Sequence, residues 1–280
     1  MPYRLAKTFG GKGSGRGQFP SAITGLALGA RGRLLVSGGP HVQVFDSETG
    51  VPLARWPAGS PALSVAVDSS QRIFTGHEGC IEIHNAAGVL LDTWKSADRL
   101  GQVTSIAFAK DSIYAADSRN RLIRRYSPSG QWMNDIGGDN PTRGFVIPNG
   151  ILTCAVDAPG VLHAANPGKH RIERYSPDGK LLSKAGKFDQ LDPAGFPGCC
   201  NPTYLALDAR GNLYVTEKAP PRVKALNPDG RLISVIATTD LDPLAKNCPI
   251  VVDARGRVFV ADPVRLVIHV YEPTSTEKAL

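Results

Sequence analysis

One punctuation pattern occurs six times along the chain. Each copy has an apolar run with a small residue at its centre, a tight turn, a second apolar run and a polar loop. A short strand ending mostly in an aromatic follows, then a Gly turn into a last strand. The first runs are Leu26-Ala27-Leu28, Val65-Ala66-Val67, Ile106-Ala107-Phe108, Cys154-Ala155-Val156, Leu205-Ala206-Leu207 and Ile250-Val251-Val252. They close at Gly29, Asp68, Ala109, Asp157, Asp208 and Asp253, with spacings of 39, 41, 48, 51 and 45 residues. Such a period matches the blade of a β-propeller, in which no repeat buries its faces alone. The expected fold is therefore all-β: one domain over 1–280, a six-bladed β-propeller of four-stranded antiparallel blades.

The third strands read Val42–Phe45, Ile81–His84, Ile123–Tyr126, Ile172–Tyr175, Val223–Leu226 and Ile268–Tyr271. Turns such as Asp178-Gly179 and Asp229-Gly230 follow most of them, the Gly supplying the positive φ that a short hairpin loop demands. Only five fourth strands come after these turns, because the sixth copy stops at Tyr271-Glu272-Pro273. The segment Tyr3–Gly11 resembles the end of the third copy, Asn134-Asp135-Ile136-Gly137-Gly138. It is expected to complete the last blade and clasp the ring, leaving neither terminal blade with a long bare edge. Two junctions are expanded, Gly137–Asn149 and Gly186–Asn201, and both should fall on one face around blades four and five.

The content of 30 Gly and 22 Pro suits a fold with many turns. The net charge of +7 favours anionic partners, but no block of like charges occurs. No secretory signal or membrane-length apolar run is evident, so the expectation is a cytoplasmic protein, or a periplasmic one if a leader or anchor has been omitted. The five Cys match no zinc signature.

The strings Ala116–Ile123, Asn166–Ile172 and Gly17-Gln18-Phe19-Pro20 resemble the NHL repeat, a family of six-bladed propellers. Asn166–Tyr175 together with Gly198-Cys199-Cys200-Asn201-Pro202 resembles, more narrowly, bacterial NHL proteins labelled gluconolactonase-like. True gluconolactonases hold calcium or zinc through Glu, Asn and Asp at the channel mouth. Glu78, Asn149, Asn166, Asn201, Glu217 and Asp262 are the candidates for such a site.

Cys199-Cys200 and Cys248 should lie on one face a blade apart. They read as structural thiols, as a disulfide to Cys248, or, with His170, as a copper, zinc or iron site. Cys154 aligns with a core strand and reads as an inert thiol. The Gly10–Gly17 tract lacks the strand and helix of a phosphate loop and reads as a connector. Arg121, Arg124, Arg125, Lys169, Arg171, Arg174, Arg222 and Lys224 form a basic stripe without interleaved aromatics, which disfavours nucleic acid. Three function classes follow. The first is a non-catalytic binding or scaffold propeller for a protein or small ligand, its face at blades four to six including His170, Asn166, Asn201, Glu217 and Arg171. A metal-dependent hydrolase or lyase of gluconolactonase type is the second, and an RNA-binding propeller the third.

Overall fold

The computed structural model describes residues 2–95, 99–139 and 142–274; positions 140 and 141, within the first expanded junction, lie outside them. Six four-stranded antiparallel sheets stand in a ring. The inner strands are Ile23–Gly29, Ser64–Val67, Val103–Ala109, Cys154–Val156, Tyr204–Leu207 and Ile250–Val252. Five blades use four consecutive strands. The sixth takes its outer strand from the N-terminus: Tyr3–Gly10 pairs with Val267–Pro273, placing Thr8 opposite His269 and Phe9 opposite Ile268. This bears out the closure expected from the missing strand.

The alternation that produced the pattern also packs the blades. Side chains on each sheet interleave with those of the next blade, so buried clusters straddle neighbours. One cluster joins Phe19 and Phe45 of blade one to Phe259 and Ile268 of blade six. The strand clasp therefore rests on a shared apolar core as well as on backbone pairing. Ala27, Ala66, Ala107, Ala155 and Ala206, the small central residues, line the axial channel together with Val251. Blades converge at that radius, which leaves little side-chain volume.

Two kinds of loop share one face of the ring: the junctions between blades, and the connections from second to third strands. The remaining turns share the other. No helix among the described residues is long and apolar enough to cross a membrane.

Candidate functional site

Every blade places one polar residue at the same central position of its third strand: Gln43, Glu82, Arg124, Glu173, Lys224 and His269. All but Glu82 are buried. The end of the second strand adds a further polar residue in four blades, namely Asp117, Asn166, Glu217 and Asp262. Five of these ten groups, Gln43, Asp117, Asn166, Lys224 and Asp262, bond the backbone of the incoming junction.

Gln43 accepts from Gly17 N at 2.9 Å and donates to Gln18 O at 2.7 Å. His77 bonds Ser60 Oγ through Nδ1 at 3.0 Å. Gly101 N donates to Asp117 at 2.7 Å, Val146 N to Asn166 at 3.0 Å, and Asp242 N to Asp262 at 2.7 Å. Buried polar groups need partners, and unpaired loop amides need acceptors; the contacts of Gln43 with Gly17 N and of Asp117, Asn166 and Asp262 satisfy both demands.

The junction between blades four and five carries the largest version of this device. Lys224 is wholly buried, with its ammonium 2.8 Å from Glu217 and donating to the carbonyls of Pro193, Ala194 and Gly195. It also sits 4.3 Å from the centre of the Phe196 ring. Burial lowers the Lys224 pKa, while Glu217 opposes the shift. Arg222 is the second cation on Glu217. Phe196 plugs the base of the loop, packed so closely that a Cβ on Gly186 would lie 2.3 Å from its ring. Phe145 covers Gly137 in the same way, at 2.4 Å. Phe19, Phe145 and Phe196 thus repeat one anchor at three junctions, each an aromatic eight to ten residues beyond a Gly. That spacing was a sequence signal for loop anchoring.

The expected site residues take their places within this scheme. Asn166 accepts from the junction backbone. Asn201, fully buried, donates to Pro197 O at 2.6 Å and Lys218 O at 2.9 Å, and accepts from Lys218 N at 2.8 Å. Glu217 pairs with Arg222 and Lys224, whereas Lys218, its neighbour in sequence, contributes its backbone to Asn201. Arg171 donates to Glu173 through Nε at 2.7 Å. His170 ends the 3-10 turn Pro167–Lys169 in a left-handed conformation, its ring 5.0 Å from that of Phe188. The basic stripe divides: Arg124 and Lys224 are buried and paired inside their blades, while Arg121 and Lys169 remain exposed.

All five cysteines are free thiols, so the Cys200–Cys248 bridge is not formed. Cys199 is exposed, Cys200 buried, and Cys248 lies inside the core cluster of blades five and six. Burial raises the pKa of Cys200 and Cys248 and pushes Cys154 up to about 12, which disfavours the thiolate. Among the described residues no group of three or more His, Cys, Asp or Glu stands in an arrangement to hold a metal.

The axial channel has a volume of about 420 Å³. At its loop-face end, hydroxyls stitch each blade to the next. Thr24 donates to Ala62 O, Ser64 to Val103 O, Thr104 to Leu152 O, Thr153 to Thr203 O, and Thr216 to Cys248 O. Blade six has Pro249 at that point and no hydroxyl. Here the Tyr204 hydroxyl reaches from blade five to Thr24 O of blade one at 3.0 Å, closing the circuit. Over the same end, Asn149 donates to Asn247 at 3.2 Å, joining two separate junctions. A Ser or Thr two or three residues ahead of the central alanine was the overlooked signal in the first four blades; in blade five the hydroxyl comes from Thr216 on the second strand. Cys154 lines the channel as a protonated thiol, and among the described residues no Asp, Glu, His, Lys or Arg lines it.

No family model and no curated protein matches the sequence. Among solved structures, the chain is similar to a structural-genomics protein of unknown function from Bacteroides thetaiotaomicron VPI-5482. The TM-score is 0.70 at 16% identity, covering 90% of this chain and 69% of that one. At this identity the likeness supports the propeller fold alone.

Proposed function

We propose that the chain is a non-catalytic binding module, a propeller of NHL type, that holds a protein or small ligand on the loop face of blades four to six. The observation carrying this reading is the contrast between the base and the crown of the long junctions. Their bases are fastened by Phe196, Lys224, Asn201 and Asp262, whereas Phe188, Leu191 and Leu244 on the crowns are 53%, 94% and 73% exposed. Large apolar side chains raised on rigid loops suit partner recognition. Hydrolysis at the channel mouth would need acids, bases or cation ligands free to act. Asn166, Asn201, Glu217 and Asp262 are instead engaged with the protein's own backbone and cations. A metal or redox group on Cys199, Cys200, Cys248 and His170 has no support in the placement of these residues.

The test compares the protein with Phe188→Ser/Leu191→Ser/Leu244→Ser by quantitative cross-linking in cell extract, with thermal melts in parallel. A partner retained by the parent and lost from an equally stable variant is expected. Saturable lactone turnover that survives repurification and falls in Asn149→Ala would replace this reading with the hydrolase.

A further inference from the structure

We propose that the loop face docks an acidic protein segment bearing an apolar side chain, along a band from Arg121 through Arg143 and Lys169 to Phe188. This rests on the binding reading above, extends its face onto the Arg121 loop of blade three, and specifies the chemistry of the partner. The first observation is an asymmetry of charge. Among the described residues, the junctions and second-to-third-strand loops hold eleven Lys and Arg against six Asp and Glu, an excess of five. The turns of the opposite face hold eight of each. Most of the chain's net charge of +7 therefore belongs to one face. A requirement for solubility alone would not sort charge in this way.

The second observation is that few of these cations have a carboxylate partner. Only Arg119, Lys187 and Arg265 of the eleven form ion pairs with other described residues. Arg121, Arg143 and Lys169 are exposed and have none. On the blades beneath, Arg124, Arg171, Arg222 and Lys224 are each paired with an Asp or Glu. The protein thus pairs its cations with carboxylates on the blades and leaves most of those on this rim without one.

Continuity is the third observation. Arg121 donates to Arg143 O at 3.0 Å, and Phe145 N returns a bond to Arg121 O at 2.9 Å. Gly168 N donates to Val146 O at 2.8 Å, setting Lys169 beside the same segment. His170 follows, against the Phe188 ring. Backbone contacts therefore hold a row of cations that ends at exposed Phe188 and Leu191. An apolar anchor beside unpaired cations complements a segment that alternates carboxylates with a Leu or Phe. Phe188 is the one exposed aromatic on this face among the described residues, whereas a single-stranded nucleic acid wants a succession of them.

Random twelve-residue peptides on phage, selected against the whole protein, supply the probe. Recovered sequences are then measured as synthetic peptides by fluorescence anisotropy. Expected are sequences enriched in Asp and Glu together with Leu or Phe. Their affinity should fall about tenfold in Arg143→Glu/Lys169→Glu and again in Phe188→Ser/Leu191→Ser, should weaken with added salt, and should be unchanged in the opposite-face Lys110→Glu/Arg210→Glu. Matching thermal midpoints verify that these surface variants fold.

Peptides without acidic enrichment that still depend on Phe188 and Leu191 overturn the acidic partner and leave the binding face standing. Peptides indifferent to both loop-face variants, or no enrichment at all, overturn both. An oligouridylate that displaces the peptides at equal charge, and is itself lost in Arg143→Glu/Lys169→Glu, overturns the protein partner in favour of nucleic acid.

Discussion

The junction between blades one and two spans 58–63, whereas the one between blades four and five spans 186–203. Both connect an outer strand to an inner one on the same face. The short junction is held by the side-chain contact of Ser60 with His77, by backbone bonds from Ala58 N to Pro40 O and Leu63 N to Gly76 O, and by the Thr24 hydroxyl on Ala62 O. The long one brings carbonyls over the blade far from any strand and must neutralise them there. Lys224, with Glu217 as its counter-charge, Phe196 as a plug and Asn201 as a brace meet that need. A loop that presents carbonyls thus draws a buried cation, whereas Asp117 and Asn166 serve junctions that present an amide, and the conspicuous polar residues of the expanded half are, in the first instance, loop supports.

The contrast is tested most severely at Lys224. Lys224→Met should cost about 3–5 kcal/mol in denaturant unfolding, because Glu217 is left buried with only Arg222, and adding Glu217→Gln should recover part of the loss. A single variant as stable as the parent would mean that the pair anchors nothing. Asn201→Ala removes three bonds and should cost about 2–3 kcal/mol, whereas Ser60→Ala in the short junction should cost about 1 kcal/mol or less. Equal losses at the two junctions would erase the distinction.

Acid should weaken both halves. Burial lowers the pKa of His77 and His84 in blade two, and also that of His163 and His269 in blades four and six. Nearby carboxylates oppose the shift in each case. Below the unfolded value of 6.5 the unfolded chain binds more protons, so this stability is present above that pH and is lost as pH falls towards the folded values. The slope should be about 1.4 kcal/mol per pH unit for each proton taken up, read from unfolding midpoints between pH 7.5 and 5. A flat profile there would show that these imidazoles titrate alike in both states. An effect as small as that of Ser60→Ala belongs to the channel. Tyr204→Phe should cost about 1 kcal/mol and leave the ring closed, since one cross-channel hydrogen bond is lost among many inter-blade contacts. No change at all would place that hydroxyl outside the stitching of the blades.

The cysteines show where reading the sequence reached its limit. Cys154 was legible as an inert core thiol because its place in the repeat sets its burial. The adjacency of Cys199 and Cys200 suggested a shared site with Cys248, but adjacent residues on a bent loop need not face the same way. One is exposed and the other buried, while Cys248 belongs to the apolar core. The basic stripe divided for a similar reason. Strand alternation sends Arg124 and Lys224 into the blades, and only the distribution of buried acids accounts for their being there.

Six blades and the N-terminal clasp follow from the sequence by itself, because alternation, turn glycines and one absent strand are local features that any neighbour in the ring would read alike. The roles of Asn166, Asn201, Glu217 and Lys224 were settled only in three dimensions. A polar residue at the end of a strand looks the same in sequence whether it faces a ligand or a loop folded back over it. Lys224 meets its carbonyl partners some thirty residues away, at 193–195, and that contact exists only once the junction has closed over the blade.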